Sequence, residues 1–472
     1  MDTIRFGTSG WRGILAKDFT YRNIAVVVQG ICDYLKDMGT TANGIYIGHD
    51  SRFLGEQLAE LARTVATANN IKVLYSTGET PAPVISWVVR SQHLDGGINF
   101  TASHNQPEYN GIKFTPSWGG PALPETTSKI EETVQTLLRS GRDYHLVSGK
   151  PALCTPIDPR PEYFHHLKGL INFETITRSG LSVLCDPLWG AGRTYLSPLL
   201  AQEGIKVKTL HNYRDPYFGG RAPEPSAANL YEMVEELRES DEHSLGLALD
   251  CDADRFGVLD LDGEWIQPNY LLAMILDYLL ETRPRPAGLG VARTVATTHL
   301  LDRIAEAAGI PLFETPVGFK YIGDLINKDQ ILLGGEESGG ISIRDHLPEK
   351  DGLLGCLLTL EMVCQRGHGL KKLLGELYAT YGSVRCRRLD VSITPTILAN
   401  VRERLRNLPN SLGSRKVLEV RSLDGIKIQL EGPAWILFRE AGTEPLVRVY
   451  LEAASDEELD LLESQARSLL LA

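Results

Sequence analysis

The chain has 472 residues, more than one hydrophobic core normally serves, so length alone predicts three or four domains. Hydrophobic residues make up 43% and charged residues 23%, the mix of an ordinary globular protein. Lys plus Arg number 48 against 60 Asp plus Glu, a formal net charge of −12, which argues against nucleic acid or an anionic membrane as the main partner. A small anionic ligand stays open, provided basic side chains converge on one cleft.

Seven cysteines are scattered without CxxC spacing, the usage of reduced thiols in a cytosol rather than of a disulfide framework or a zinc site. The first residues, "MDTIRFGTSGWRG", contain no apolar run, so no signal peptide is expected and the expected location is the cytoplasm. Within that segment Arg12 sits in a glycine-rich loop suited to an anion, although a plain loop arginine explains it as well.

Three segments then share a rhythm. "GIYIGHDSR" (44–52) reads as a strand entering a polar loop, followed by a helical stretch and the strand "IKVLYS" (71–76). "LSVLCDPLWGAG" (181–192) leads in the same way to "IKVKTL" (205–210), and "GLGVARTVA" (288–296) to "IPLFETP" (310–316). Apolar runs alternating with a 3.6-residue period predict α/β units. Each unit continues to a further strand that empties into a polar loop: "GGINF" into "TASHN", "LGLALD" into "CDADRFG", and "ILLGG" into "EESGG". Ligands of α/β sheets gather at the carboxyl ends of strands, so one loop per unit implies one shared cleft.

In "TASHNQPEYNGIKF" (101–114), Ser103 either caps a helix starting near Pro107 or presents a reactive hydroxyl on a loop. "DCDADRFG" (250–257) places Asp250, Asp252 and Asp254 at alternate positions after an apolar strand. In extended chain these carboxylates share one face, and their mutual repulsion calls for a divalent cation with hard oxygen ligands, Mg²⁺ or a relative. A calcium EF-hand fails, because its glycine position holds Arg255 and its twelfth position Leu261. A solvated acidic turn is the bland alternative.

"YLLAMILDYLL" (270–280) is too short to span a bilayer and predicts a buried helix. "TPVGFKYI" (315–322) offers Lys320 near the end of the third unit's second strand. "GGEESGG" (334–340) gives Glu336 and Ser338, able to bond hydroxyls from a glycine-flanked turn, or a mere solvent turn. "HLPEKDG" (346–352) predicts a helix start near Asp351, with His346 structural. The tail alternates apolar and polar residues in "GIKIQL", "AWILFRE" and "VRVYLEAAS", then starts a helix at Ser455 with Glu458 completing a capping box, a small α+β domain joined near 380–388. Arg439, Thr443 and Arg448 in "FREAGTEPLVRVY" (438–450) suit a phosphate pocket, or are two surface arginines beside a hairpin. No Walker loop or GxGxxG occurs, so nucleotide binding is unsupported.

Together these loops resemble the α-D-phosphohexomutase family, which includes phosphoglucomutases and phosphomannomutases. TASHN…NGIK is similar to its phosphoserine loop, DCDADRFG to its metal loop, GEESGG to its sugar loop and REAGTEP…R to its phosphate loop, in order along essentially the whole chain. The resemblance implies an α/β fold with three mixed-sheet domains and a smaller α+β domain around a central cleft. Those domains are expected at 1–150 (phosphoserine loop), 151–262 (metal loop), 263–381 (sugar loop) and 382–472 (phosphate loop).

It also implies roles. Ser103 would carry the phosphoryl group and share Mg²⁺ with Asp250, Asp252 and Asp254. His104 and Lys113 would be acid/base candidates, and Arg12 and Arg255 helpers around the reacting phosphate. Glu336, Ser338 and Lys320 would contact the sugar, and Arg439, Thr443 and Arg448 the second phosphate. The implied reaction interconverts hexose 1- and 6-phosphates, glucose foremost and mannose next, through a hexose 1,6-bisphosphate that also serves as activator. One departure is Ala441, where the family reads Ser; losing that hydroxyl weakens phosphate retention by about 1–2 kcal/mol. A hexose-1,6-bisphosphate synthase, fed by a donor such as fructose 1,6-bisphosphate, is therefore the rival, and a non-catalytic sugar-phosphate sensor a remote one.

Overall fold

The computed structural model describes residues 4–7, 10–140, 149–239, 244–284, 286–392, 402, 404, 409–440 and 446–471. They fall in two compact units, Met1–Pro268 with Gly318–Leu370, and Asn269–Val317 with Lys371–Ala472. The class is α/β, as the alternation of apolar periods predicts, with the mixed sheets that the family resemblance implies.

In the first unit six strands align in the order Trp11–Ile14, Tyr109–Pro116, Gly96–Phe100, Ile45–His49, Val73–Tyr75 and Cys154–Pro156. The last four run parallel, while Tyr109–Pro116 runs antiparallel to both neighbours. Ile45–His49 and Gly96–Phe100 are buried at every position, which is why each reads as a nearly unbroken apolar run. Helix Ala82–Ser91 lies close above the sheet because Gly97 has no side chain; a Cβ there would meet Ile85 and Val89 at 2.9 and 3.0 Å.

A second sheet of this unit has the order Trp265–Ile266, Phe256–Leu259, Ser244–Leu249, Ser182–Asp186 and Val207–Thr209. Ser182–Asp186 is parallel to both its neighbours, and Phe256–Leu259 is antiparallel to both of its own. Strands Ile331–Gly335 and Ile341–Ile343 form an antiparallel hairpin. Helix Gly352–Arg366 starts where the sequence predicts, with the Asp351 carboxylate accepting the Leu354 N–H. The three polar loops therefore follow Phe100, Leu249 and Gly335, each at a strand's carboxyl end.

Three local expectations are corrected. No helix begins near Pro107; the chain turns through 103–105 and enters strand Tyr109–Pro116, so Ser103 is no helix cap. Residues 251–254 turn rather than run extended, with Ala253 at φ 55°, so the aspartates converge by a turn and not by strand alternation. Lys320 does not lie at a strand end: Leu312–Thr315 has finished, and Lys320 occupies the first turn of helix Phe319–Asn327.

In the second unit, strands Gly290–Thr294 and Leu312–Thr315 pair in parallel. The expected buried helix is Pro268–Thr282, apolar nearly all round. Six strands, all antiparallel where paired, follow in the order Arg385–Ser392, Leu446–Ala453, Ala434–Glu440, Ile426–Leu430, Arg415–Arg421 and Ser411–Leu412. Helix Asp456–Leu471 covers them, packing Leu459, Leu462, Ala466 and Leu470 against Ile428, Ile436 and Val449. The serine half of the predicted box forms, Ser455 Oγ accepting the Glu458 N–H at 3.3 Å, while Glu458 reaches one residue past Ser455 to the Ala454 N–H at 3.1 Å. Among the described residues no helix is long and apolar enough to cross a membrane, and none of the seven cysteines is in a disulfide.

Candidate active site

Ser103 is buried and held at φ 52°, in the left-handed region that a β-substituted residue seldom occupies. Its N–H donates to Thr101 Oγ1 at 2.8 Å, tightening the turn. Its hydroxyl donates to Asp250 Oδ2 at 2.9 Å and lies 3.3 Å from His104 Nδ1. The serine of the first sheet thus meets the acidic loop of the second.

Asp250, Asp252 and Asp254 are all buried, with one carboxylate oxygen from each within 4.8 Å of the others. Their loop is pinned by two helix starts: the Ala82 N–H donates to the Asp252 carbonyl at 2.8 Å and the Gly352 N–H to the Ala253 carbonyl at 3.0 Å. Both bring the positive end of a helix to the cluster. Gly352 must be glycine for this approach, since a Cβ would stand 2.5 Å from the Arg255 carbonyl oxygen.

Cations surround the carboxylates. Lys113 Nζ contacts Asp252 at 2.7 Å and Asp254 at 3.0 Å, and Lys350 Nζ contacts Asp254 at 2.9 Å. The Arg255 N–H donates to Asp250 at 3.0 Å, its guanidinium lies 3.4 Å from Glu224, and Arg12 donates to the Asn105 side chain. Burial and the two neighbouring carboxylates push the Asp250 pKa well up. Burial would raise Asp254 too, but Lys113, Lys350 and Arg255 overcome it and hold that carboxyl well below the usual range. Burial lowers the Lys113 ammonium, yet Asp252 and Asp254 prevail and its pKa is raised. Burial, then Arg255 and Arg12, push the His104 imidazole well down.

The donor set fits a hard divalent cation. Among the described residues, Oδ1 of Asp252 and Oδ1 of Asp254 are buried with no hydrogen-bond partner. Oxygens so placed carry a desolvation penalty that a metal ion removes.

A cavity beside the cluster is lined by Gly10, Lys113, Asp254, Lys320, Glu349 and Lys350 among others, so Lys320 reaches the same hollow as Lys113. Burial, above the effect of nearby Asp254, pushes the Glu349 carboxyl up to about 8. Glu336 is buried and accepts the Gly318 N–H at 2.9 Å, while Ser338 lies part-exposed on the adjoining turn. Ser103, His104, Arg12, Lys113, Arg255, the aspartates, Lys320 and Glu336 thus belong to one neighbourhood of the first unit. Arg439 and Arg448 belong to the second unit, directly opposite each other on strands Ala434–Glu440 and Leu446–Ala453. Thr443 and Ala441 lie outside the described residues.

Four groups escaped the sequence reading: Lys350, Glu349, Asn105 and the Asp50–Arg52 pair. "HLPEKDG" predicts a helix start, but its Glu-Lys just before a capping aspartate is also a charged pair held at a fixed point. His346 is structural as expected: it bonds Asp351 at 2.8 Å and His166 at 2.9 Å.

Four family descriptions match the sequence: phosphoglucomutase/phosphomannomutase alpha/beta/alpha domain I over residues 3–139, domain II over 161–263, domain III over 267–381 and the C-terminal domain over 397–469. A phosphoglucomutase/phosphomannomutase of Thermococcus kodakarensis is 30% identical, over 96% of this chain and 95% of its own. A probable phosphoglucosamine mutase of Methanosphaera stadtmanae is 29% identical, over 98% of each. A putative phosphomannomutase of Thermus thermophilus has a solved structure of TM-score 0.87 at 32% identity, covering 100% of this chain and 99% of that one.

Proposed function

Because this chain belongs to the α-D-phosphohexomutase family, whose enzymes move a phosphoryl group within a sugar phosphate, we propose that it interconverts hexose 1-phosphates and hexose 6-phosphates with Ser103 as the carrier. The observation that carries this reading is the Ser103 hydroxyl, buried in a strained turn and 2.9 Å from the acidic cluster. A serine with only a structural role has no need of three convergent carboxylates.

Phosphoryl transfer depends on positioning and charge neutralisation more than on covalent chemistry by the protein. Asp250, Asp252 and Asp254, with an oxygen on Ser103, would hold Mg²⁺, which when bound neutralises phosphoryl charge and makes the serine oxygen a better leaving group. A hexose hydroxyl gives up its proton and forms a new O–P bond as the Ser103 Oγ–P bond breaks and the serine oxygen takes up a proton, giving a hexose 1,6-bisphosphate. The intermediate turns end over end, and its opposite phosphate returns to Ser103. Lys113, engaged by two carboxylates, serves in charge neutralisation, with Arg12 and Arg255 beside it. His104 Nδ1, 3.3 Å from Ser103 Oγ, is the acid/base candidate beside the reacting oxygen. Glu336, Ser338 and Lys320 take the sugar, and Arg439, Thr443 and Arg448 the phosphate not in reaction.

Glucose phosphates are the first choice of substrate and mannose phosphates the second, with relatives named for glucose and mannose, and others for glucosamine. Those names support isomerisation over synthesis of a free bisphosphate. A hexose 1,6-bisphosphate would activate the enzyme by charging Ser103. The four matched segments support the division at 1–150, 151–262, 263–381 and 382–472. Cysteines outside any disulfide suit a reducing cytoplasm.

The test is Ser103→Ala, assayed on glucose, mannose and glucosamine 1-phosphates with Mg²⁺ and catalytic bisphosphate. Conversion should vanish on every substrate, and intact mass should show phosphate on wild type only. Substantial residual turnover would refute Ser103 as carrier.

A further inference from the structure

We propose that Arg52 is the positioning residue that fixes the Ser103 loop in its reactive shape, acting through the loop's backbone carbonyls. The inference rests on Ser103 being the carrier.

Arg52 is 0% exposed and lies at the end of "GHDSR", just beyond strand Ile45–His49. One terminal nitrogen donates to the carbonyl oxygens of Ser103 and Asn105, both at 2.6 Å. The other donates to those of Gln106 and Tyr109, both at 2.9 Å. All four N–H groups of the guanidinium's terminal nitrogens thus go to the short loop and the first residue of the strand it enters, and its Nε stands 3.4 Å from Asp50. The Phe218 ring closes the far side, its centroid 5.1 Å from the guanidinium carbon.

What is held decides the role. The six-stranded sheet keeps its own ladder bonds, whereas Ser103 sits at φ 52°, a conformation that persists only where surroundings over-determine it. From the held segment project Ser103 toward Asp250 and the Asn105 side chain toward Arg12. Arg52 also connects both reacting loops. Its backbone N–H donates to Asp50 at 2.9 Å, and the same carboxylate accepts the Cys251 S–H at 3.2 Å, Cys251 lying between two aspartates of the cluster. Arg52 cannot itself be catalytic, since its terminal nitrogens meet carbonyl oxygens and not the reacting hydroxyl. Lysine is a poor replacement, because a single ammonium cannot span four carbonyls as a planar fork does.

The experiment compares Arg52→Ala and Arg52→Lys with wild type and Ser103→Ala, using glucose 1-phosphate, Mg²⁺ and glucose 1,6-bisphosphate. A reacting oxygen displaced by an ångström predicts about a hundredfold fall in kcat for Arg52→Ala, with a smaller fall for Arg52→Lys. KM should stay within about threefold, since the sugar contacts are untouched. Added guanidinium ion should restore part of the activity of Arg52→Ala and none to Ser103→Ala. Arg52→Ala within twofold of wild type would overturn the inference, as would a folded Arg52→Ala whose deficit lies wholly in KM or that guanidinium does not rescue. Failure of both Arg52 variants to fold would overturn it too, since Arg52 would then support the whole domain. Activity in Ser103→Ala would instead overturn the carrier reading, so the two failures are distinguishable.

Discussion

Two buried charge clusters, one in each unit, are built on opposite principles. In the second unit Arg293 donates twice to Asp302, at 2.5 and 2.6 Å, and once to Glu314 at 2.7 Å. Lys427 donates to the Val295 carbonyl, to Glu314 and toward His299, at 2.8, 3.1 and 2.8 Å, and its Nζ lies 4.4 Å from the Trp435 ring centroid. Here each ion has its counter-ion and each ammonium hydrogen an acceptor. In the first unit three carboxylates crowd together, two of their oxygens are buried without a partner, and the nucleophile candidate sits in a strained backbone. A satisfied network holds a fold, whereas a deficit held in place at a cost marks where a ligand belongs.

The difference predicts opposite responses to removing a charge. Asp250→Asn keeps one of the two acceptors used by the Ser103 hydroxyl and the Arg255 N–H, and as the larger effect relieves repulsion from Asp252 and Asp254. In chelator the variant should melt at or above the wild-type temperature, yet lose about two to three orders of magnitude in kcat. The stabilisation that Mg²⁺ gives wild type by binding only the folded state should disappear as well. Scanning calorimetry with and without Mg²⁺, alongside the mutase assay, measures both. A variant that is less stable in chelator yet active would make the two clusters alike.

Much of the site is legible in the sequence because each reacting loop directly follows a buried apolar strand, so chemistry and geometry are adjacent in the chain. Ser103 follows Gly96–Phe100, and Asp250 follows Ser244–Leu249. The convergence of the aspartates is foreseen, but for the wrong reason: strand alternation was expected, and the cause is a turn with Ala253 left-handed. Arg52 was not legible. Its four acceptors lie 51 to 57 residues away, and they are backbone carbonyls, which carry no mark in a sequence. Lys350 escaped for a related reason, since its partner Asp254 belongs to a loop almost a hundred residues earlier. The serine half of the capping box at Ser455 was readable because its partner is local.

Glu314 tests the satisfied cluster. Burial raises its carboxyl, but Arg293 and Lys427 prevail and bring it down to about 2, while burial and Arg293 bring Lys427 down to about 8. A carboxylate with a depressed pKa adds stability that is present above its ordinary 4.5 and is lost as pH falls toward 2. That gap corresponds to roughly 3 kcal/mol, and partial exposure reduces it to about 2 kcal/mol. Glu314→Gln should therefore lower the unfolding free energy from urea titration at pH 7 by that amount while kcat per folded molecule holds within about twofold. The difference from wild type should shrink between pH 4.5 and 2. Equal stability at pH 7 would show the network to be idle.

Arg448 sharpens the contrast, because it combines features of both clusters. It shares its unit with the Glu314 network, yet it faces Arg439 directly across an antiparallel pair, and like charges so placed are unfavourable by about 0.2–1 kcal/mol. Asp424 takes Arg439 at 2.9 Å, and Asp390, opposite Arg448 on the neighbouring strand, lies 3.9 Å from it. Arg448→Gln should raise stability slightly, by up to about 0.5 kcal/mol, because it removes the repulsion. With Arg448 in its proposed role as a clamp on the non-reacting phosphate, which would bind ground and transition states alike, the same change should raise KM for glucose 1-phosphate about tenfold with less effect on kcat. Thermal melts and initial-rate kinetics give the two numbers. If stability falls and KM holds, the paired arginines belong with the structural network.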